Sequence, residues 1–196
     1  MGKIVYIMGK SSSGKDTIFK NLVSDPSFDF KTIVSYTTRP IRESEKEGVE
    51  YHFVDEDEFL RLQALGKIVE ERSYDTCHGL WRYFTVDDGQ FDLKEGNYIT
   101  IGTLESYKSV RKYFGKDMVI PVLIELDDGV RLQRALNREK KQDHPKYEEM
   151  CRRFLADAKD FDNEKIKQLK ISKRFKNDDL NVCISAIKQY LTIEMA

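Results

Sequence analysis

Met1-Gly-Lys-Ile-Val-Tyr-Ile-Met-Gly-Lys-Ser-Ser-Ser-Gly-Lys-Asp-Thr-Ile18 opens the chain, and these eighteen residues decide the fold. Ile4 to Met8 form a short apolar, β-branched run bounded by Gly9. That is the pattern of a strand in a parallel sheet covered on both faces. Gly9 and Gly14 bracket four residues and Lys15 follows, which is the spacing of a P-loop. In such a loop the amides turn inward onto phosphate oxygens and the lysine reaches the terminal phosphates. Ile18, Phe19, Leu22 and Val23 give the next segment an apolar helical face, so a positive helix amino terminus should also point at the anion. The bare motif arises by chance roughly once in twenty chains of this length at ordinary glycine and lysine usage. The flanking strand and helix make coincidence much rarer. Gly9, Ser11, Ser12, Ser13, Gly14, Lys15, Asp16 and Thr17 are thus the expected polyphosphate cradle. The residue after the lysine is usually a Ser or Thr that ligates Mg²⁺; here Asp16 stands there and Thr17 follows. Both offer hard oxygens suited to the ion, and the choice between them stays open.

Working outward, Thr32 to Ser35 reads as a second strand running into Tyr36-Thr-Thr-Arg-Pro-Ile-Arg42, where Pro40 interrupts regular structure. Asp55, with Glu58 three residues on, reads as a helix N-cap ahead of Phe59, Leu60, Leu62 and Leu65, and Gly66 ends that helix. Lys67 to Tyr74 and Leu80 to Val86 predict two antiparallel strands around a turn at Thr76 to Gly79, so residues 36–88 form an insertion. Asp87 to Lys94 predicts a short helix, Asn97 to Ile101 a strand, Leu104 to Phe114 a helix and Met118 to Glu125 a strong strand. Val130 to Leu136 and Tyr147 to Phe161 are helical in pattern, and a last helix starts near Asp179. Strands alternating with helices imply an α/β fold, a parallel sheet wrapped on both sides. Ligands on such sheets sit beyond the carboxyl ends of the strands. The first loop, Ser35 to Arg42 and the residues after Ile101 should therefore share a crevice.

The chain has 196 residues, 40% of them hydrophobic, enough for one sizeable core. Thirty-three basic and 34 acidic residues leave a net charge of −1, which argues against a general role on nucleic acid or membranes. Cys77, Cys151 and Cys183 are far apart and odd in number; they read as small buried residues in a reducing compartment. The opening apolar run is too short for a secretory or membrane signal, and a cytoplasmic location is the expectation.

Ser35, Arg39, Arg42 and Tyr51 place two guanidiniums and two hydroxyls near the loop, a possible clamp for a second phosphate. Strand alternation turns one of Glu70 and Glu71 inward, where a carboxylate would accept two parallel N–H bonds from a guanine edge. Arg134, Arg138, Arg152 and Arg153 flank the polar stretch Arg138 to Lys146. They either spread positive charge over a transferring phosphoryl group or pair along the helices with Glu139, Glu148 and Asp157.

Together, Gly9 to Thr17, Val34-Ser-Tyr-Thr-Thr-Arg-Pro-Ile-Arg42, Gly48-Val-Glu-Tyr-His-Phe-Val54, Ile68-Val-Glu70 and Asn177-Asp-Asp-Leu180 resemble guanylate kinase, in order and spacing over nearly the whole chain. The resemblance implies a five-stranded P-loop core at residues 1–35, 89–136 and 161–196, a small mixed insertion at 36–88 that binds the nucleoside monophosphate, and a helical lid at 137–160. It implies phosphorylation of GMP or dGMP with ATP and Mg²⁺, with small nucleotides as partners in a monomer or weak homodimer. It assigns catalysis to Lys15, Arg39, Arg134 and Arg153, the acceptor phosphate region to Ser35, Arg39, Arg42 and Tyr51, and the base to Glu70. Some positions depart from the family. Cys77-His-Gly-Leu80 replaces Tyr-Tyr-Gly and a hydroxyl residue, Ile101-Gly-Thr103 replaces an acidic Asp-x-Asp segment, residues 138–153 are longer than usual, and Asp16 replaces Ser or Gly. These changes fall on base reading. The alternatives are a kinase for a non-guanine acceptor and a binding module without turnover.

Overall fold

Two β-sheets organise the chain in a computed structural model that describes residues 1–43, 45–76 and 79–195. The larger sheet is built from β1 (Ile4–Gly9), β2 (Phe30–Thr32), β7 (Asn97–Gly102), β8 (Val119–Glu125) and β9 (Arg174–Lys176) in the order β2-β7-β1-β8-β9, every pair parallel. Its central strand β1 is buried at every residue. Because side chains alternate, Ile4, Tyr6 and Met8 enter one core with Leu104, Tyr107 and Val110 of α3 (Leu104–Phe114) and Ile166 of α6 (Asn163–Gln168). Val5 and Ile7 enter the other, with Ile18 and Leu22 of α1 (Lys15–Val23) and Cys183, Ile184, Ile187 and Leu191 of α7 (Leu180–Glu194). Each such side chain contributes about 1.5–3 kcal/mol by leaving water, so the strand bearing the phosphate loop is the best anchored in the molecule.

The smaller sheet runs β4-β3-β6-β5, from β3 (Tyr36–Thr37), β4 (His52–Phe53), β5 (Ile68–Thr76) and β6 (Gly79–Val86). Helix α2 (Glu56–Ala64) covers one side through Phe59 and Leu62, packed on Phe84 and Val86, and is N-capped by Asp55 accepting from the Glu58 amide. A register shift between Ile68 and Glu70 lets Val69 and Glu70 both be buried. Helices α4 (Asp128–Glu139) and α5 (Tyr147–Asp160) lie against one another beside the phosphate loop. Among the described residues no helix is long and apolar enough to cross a membrane.

Several expectations fail for local reasons. Asp87 to Lys94 is a series of turns, not a helix: Asp88 and Asp92 accept from the amides of Gln90 and Lys94, and Gly89 has φ 92°. The second strand ends at Thr32 because the chain leaves for the smaller sheet; the Val34 amide goes to Gln90 Oε1 and the Ser35 carbonyl accepts from the His52 amide. Helix α6 and the three-residue edge strand β9 lacked a sequence signal. Cys183 is buried, but Cys151 is exposed on α5, and Cys77 lies outside the described residues, as does part of the Thr76 to Gly79 turn.

Candidate active site

The loop after β1 meets α1 at Gly14, whose φ of 89° and lack of a side chain leave the helix uncapped. The amides of its first turn are thereby free for an anion. A methyl group on Gly14 would stand 2.3 Å from Asn177 Nδ2, and the Arg134 guanidinium lies beside the same point at 3.8 Å. Only glycine meets both demands of conformation and space. Ser12 takes a left-handed φ of 62°, which costs a non-glycine residue of order 1 kcal/mol.

Three later segments hold this strained loop. Asn177, buried just after β9, donates from Nδ2 to the Ser13 carbonyl at 2.7 Å. Asp157 of α5 accepts from the Ser11 amide at 2.7 Å. Arg131 of α4, 1% exposed, donates from Nη1 to the Ser11 carbonyl at 2.9 Å and to Asp157 at 3.3 Å, and from Nη2 to Asp128 at 2.8 Å, with its guanidinium 4.7 Å from the Phe154 ring. The Ser12 and Ser13 hydroxyls are buried and lack a partner among the described residues, which suits a loop shaped for polar groups. Asp16 and Thr17 are exposed on the first turn of α1, and Lys15 Nζ is 3.9 Å from Asp16 Oδ1. Among the described residues no three His, Cys, Asp or Glu side chains gather into a metal cage. The donor set fits an ion held largely by phosphate oxygens, with Asp16 or Thr17 completing its shell.

Of the other predicted arginines, Arg152 and Arg153 both bond Glu149 on the surface of α5, at 2.6 and 2.7 Å, rather than Glu139, Glu148 or Asp157. The Arg152 bond, then Arg153, holds the Glu149 carboxyl down to about 2. Arg138 is exposed.

The acceptor candidates gather on the smaller sheet. Arg39 is buried at 3% exposure and gives a bidentate pair to Glu45 at 2.7 and 2.6 Å, which raises its own pKa and lowers that of Glu45. Its guanidinium lies 5.2 Å from the Tyr51 ring and beside the Tyr83 hydroxyl, and its Nε is unpartnered. Arg42 is exposed, with its amide on Glu45. Ser35 Oγ sits 3.5 Å from Thr85 Oγ1, which donates to Glu70 Oε1 at 2.9 Å. Glu70, 4% exposed, is the inward carboxylate of the Glu70–Glu71 pair; Glu71 is partly exposed. Burial pushes the Glu70 pKa up, against the pull of Arg72. The Tyr6 hydroxyl forms the floor: burial and the Glu70 charge raise its pKa, and a methyl at Gly102 would lie 2.0 Å from it. Where an acidic segment was missing from the sequence, Thr103 instead caps α3 in a reciprocal box with Ser106. Between β5 and α3 opens a cleft of about 810 Å³ lined by Arg72, Tyr74, Thr103, Glu105 and Lys108.

Sequence reasoning missed Arg131, Thr85, Arg72 and Tyr83, and gave Asn177 and Asp157 no site role. The alternation that exposed Glu70 also puts Arg72 and Tyr74 on its face, and that signal was available.

The family profile described as guanylate kinase matches residues 1–79. A guanylate kinase of Malacoplasma penetrans is 28% identical over 90% of this chain and 82% of its own length. One from Caldanaerobacter subterraneus subsp. tengcongensis is 30% identical over 79% of this chain and 71% of its own. The crystal structure of guanylate kinase from Anaplasma phagocytophilum superposes with a TM-score of 0.64 at 23% identity, covering 99% of this chain and 86% of that one. With the loop, the insertion sheet and these similarities in place, the chain belongs to the guanylate kinase family.

Proposed function

We propose that the chain transfers the γ-phosphoryl group of ATP to GMP or dGMP, releasing ADP and GDP or dGDP. The observation that carries this reading is the pairing of an uncapped, lysine-bearing loop with a buried carboxylate, Glu70, flanked by the Arg39–Tyr51 cluster. Family membership supports it.

In this reading Lys15 and the amides of residues 11–17 hold the donor triphosphate, and Arg134, beside Gly14, covers the β/γ region. Asp16 or Thr17 would hold Mg²⁺ beside the phosphates, where the ion would supply positive charge against the charge that develops on transfer. Ser35, Arg39, Arg42 and Tyr51 hold the acceptor phosphate, and Glu70 accepts from the base. An acceptor phosphate oxygen attacks Pγ as the bond from Pγ to the β–γ bridging oxygen breaks and leaves with ADP. Positioning and charge stabilisation account for the rate, so no strong general base is required. Residues 36–88 and 137–160 close on the core, and Arg153 leaves Glu149 to reach the transferring group. The enzyme works on small nucleotides in the cytoplasm, as a monomer or weak homodimer.

A coupled assay for ADP with ATP, Mg²⁺ and GMP tests this. Turnover that falls at least 100-fold in Lys15→Ala supports it; GMP-dependent turnover no higher than in that variant refutes it.

A further inference from the structure

Arg72 lies in the acceptor cup without a part in the reaction above. It follows Glu70 by two residues on β5, so both side chains leave the same face of the strand. Its Nε donates to Glu70 Oε2 at 3.3 Å, and its side chain is only 18% exposed. Burial works against its charge, and Glu70 together with Tyr6, Tyr74 and Tyr51 outweighs that, so its pKa is raised. The two terminal nitrogens donate no hydrogen bond to any described residue, although the group lines the cleft facing α3. A buried guanidinium that uses one of its five N–H groups has donors to spare.

We propose, resting on the reading of the acceptor as a purine monophosphate, that Arg72 is a specificity-determining residue that reads the O6/N7 edge of the base. Along a guanine edge come two donors, N2–H and N1–H, and then two acceptors, O6 and N7. A carboxylate followed by a guanidinium on one strand face presents the complement in the same order. Arginine on O6 and N7 is the commonest specific contact to guanine in nucleic acid recognition, for this geometric reason. Adenine reverses both groups: its N1 lone pair would meet Glu70, and its N6 hydrogens would meet Arg72. The same pair therefore selects by repulsion as well as attraction. The need is local to this chain. Leu80 and Ile101 bring no polar side chain, and the Thr103 hydroxyl is engaged with Ser106 in the cap of α3, so the positions that depart from the family pattern leave O6 without a dedicated donor.

The test is steady-state kinetics of the full chain, as wild type, Arg72→Ala and Arg72→Lys, with GMP, 7-deaza-GMP and AMP as acceptors. A bidentate contact predicts that Arg72→Ala loses roughly 10- to 100-fold in kcat/KM for GMP, mostly through KM. The wild-type preference for GMP over 7-deaza-GMP should collapse to about one in Arg72→Ala, and the preference over AMP should shrink. Arg72→Lys should recover part of both ratios. If Arg72→Ala slows all three acceptors by one factor and leaves both ratios unchanged, the residue only neutralises Glu70 and the proposal is wrong. Should Arg72→Ala be unfolded by circular dichroism, the ratios in Arg72→Lys and Arg72→Gln decide in the same way. Wild-type turnover of AMP with none of GMP would instead overturn the acceptor assignment, and the inference with it.

Discussion

Replacing Arg131 by methionine keeps most of the side-chain length against Phe154 and deletes the charge. The variant loses the donor to the Ser11 carbonyl and the charged partner of Asp157, whose side chain is 14% exposed. Hydrogen bonds involving a charged group contribute about 1.5–3 kcal/mol each. The pair with Asp128 adds little, since that carboxylate is 54% exposed and screened. The expected loss is about 3 kcal/mol, at the lower edge of what removing one partner of a buried pair costs. For a chain of this size, that lowers Tm by roughly 6–12 °C. Ser11 is also freed to relax the left-handed Ser12 behind it, so the loop should lose its fit to phosphate: affinity for a non-hydrolysable ATP analogue should fall about tenfold, or ~1.4 kcal/mol. Urea unfolding and analogue titration by calorimetry measure the two effects. A stability change under 1 kcal/mol together with unaltered analogue affinity would refute the claim that α4 and α5 fasten the loop.

Asn177→Ala should weaken binding of the same analogue and cost about 1–3 kcal/mol in urea, because the buried Ser13 carbonyl loses its donor; unchanged values on both counts would oppose the assignment. Gly102→Ala pushes a methyl to 2.0 Å from the Tyr6 hydroxyl and should destabilise by about 1–3 kcal/mol, while Tyr6→Phe in the same background restores only part of the loss, because the ring carbon at 2.7 Å and Ser106 Oγ at 2.8 Å remain; equal destabilisation of single and double variants would contradict this. The acidic limb of kcat/KM for GMP should lie above the ordinary glutamate value of about 4.3, because Glu70 must be ionised to accept from the base and burial raises its pKa against Arg72 and Thr85, with Glu105 adding to the rise. A raised carboxyl pKa gives stability that is fully present below the unfolded value and lost as pH rises through the folded one, so the stability difference between Glu70→Gln and wild type, which includes a constant cost for leaving Arg72 unpaired, should move in the variant's favour as pH rises through that range; a shift the other way would reverse the sign.

How much the sequence discloses depends on how local the cause is. The strand at Ile4 to Met8, the cap at Asp55 and the helix from Leu104 to Phe114 rest on patterns within a few residues, and each forms where those patterns put it. Asp87 to Lys94 misleads because Asp88 and Asp92 bond nearby amides in competition with a helix. Strand β9 is three residues long and exists only because β8 offers an edge. In the site, the glycine and lysine spacing marks the loop, whereas nothing near Arg131 or Asp157 signals that each reaches back to Ser11. Arg39 illustrates a further limit: the sequence shows its charge, and only the folded chain shows that Glu45 takes both terminal nitrogens.

The loop at Ser11 to Ser13 is bonded by residues 120, 146 and 164 positions downstream. During synthesis, therefore, the donor cradle cannot be completed until Asn177, 164 residues after Ser13, has emerged. A nascent chain halted before Asn177 would carry the full glycine-lysine motif and still lack its last fastener. Nucleotide capture thus doubles as a report that the chain has been made at least as far as Asn177 and has folded back onto its loop.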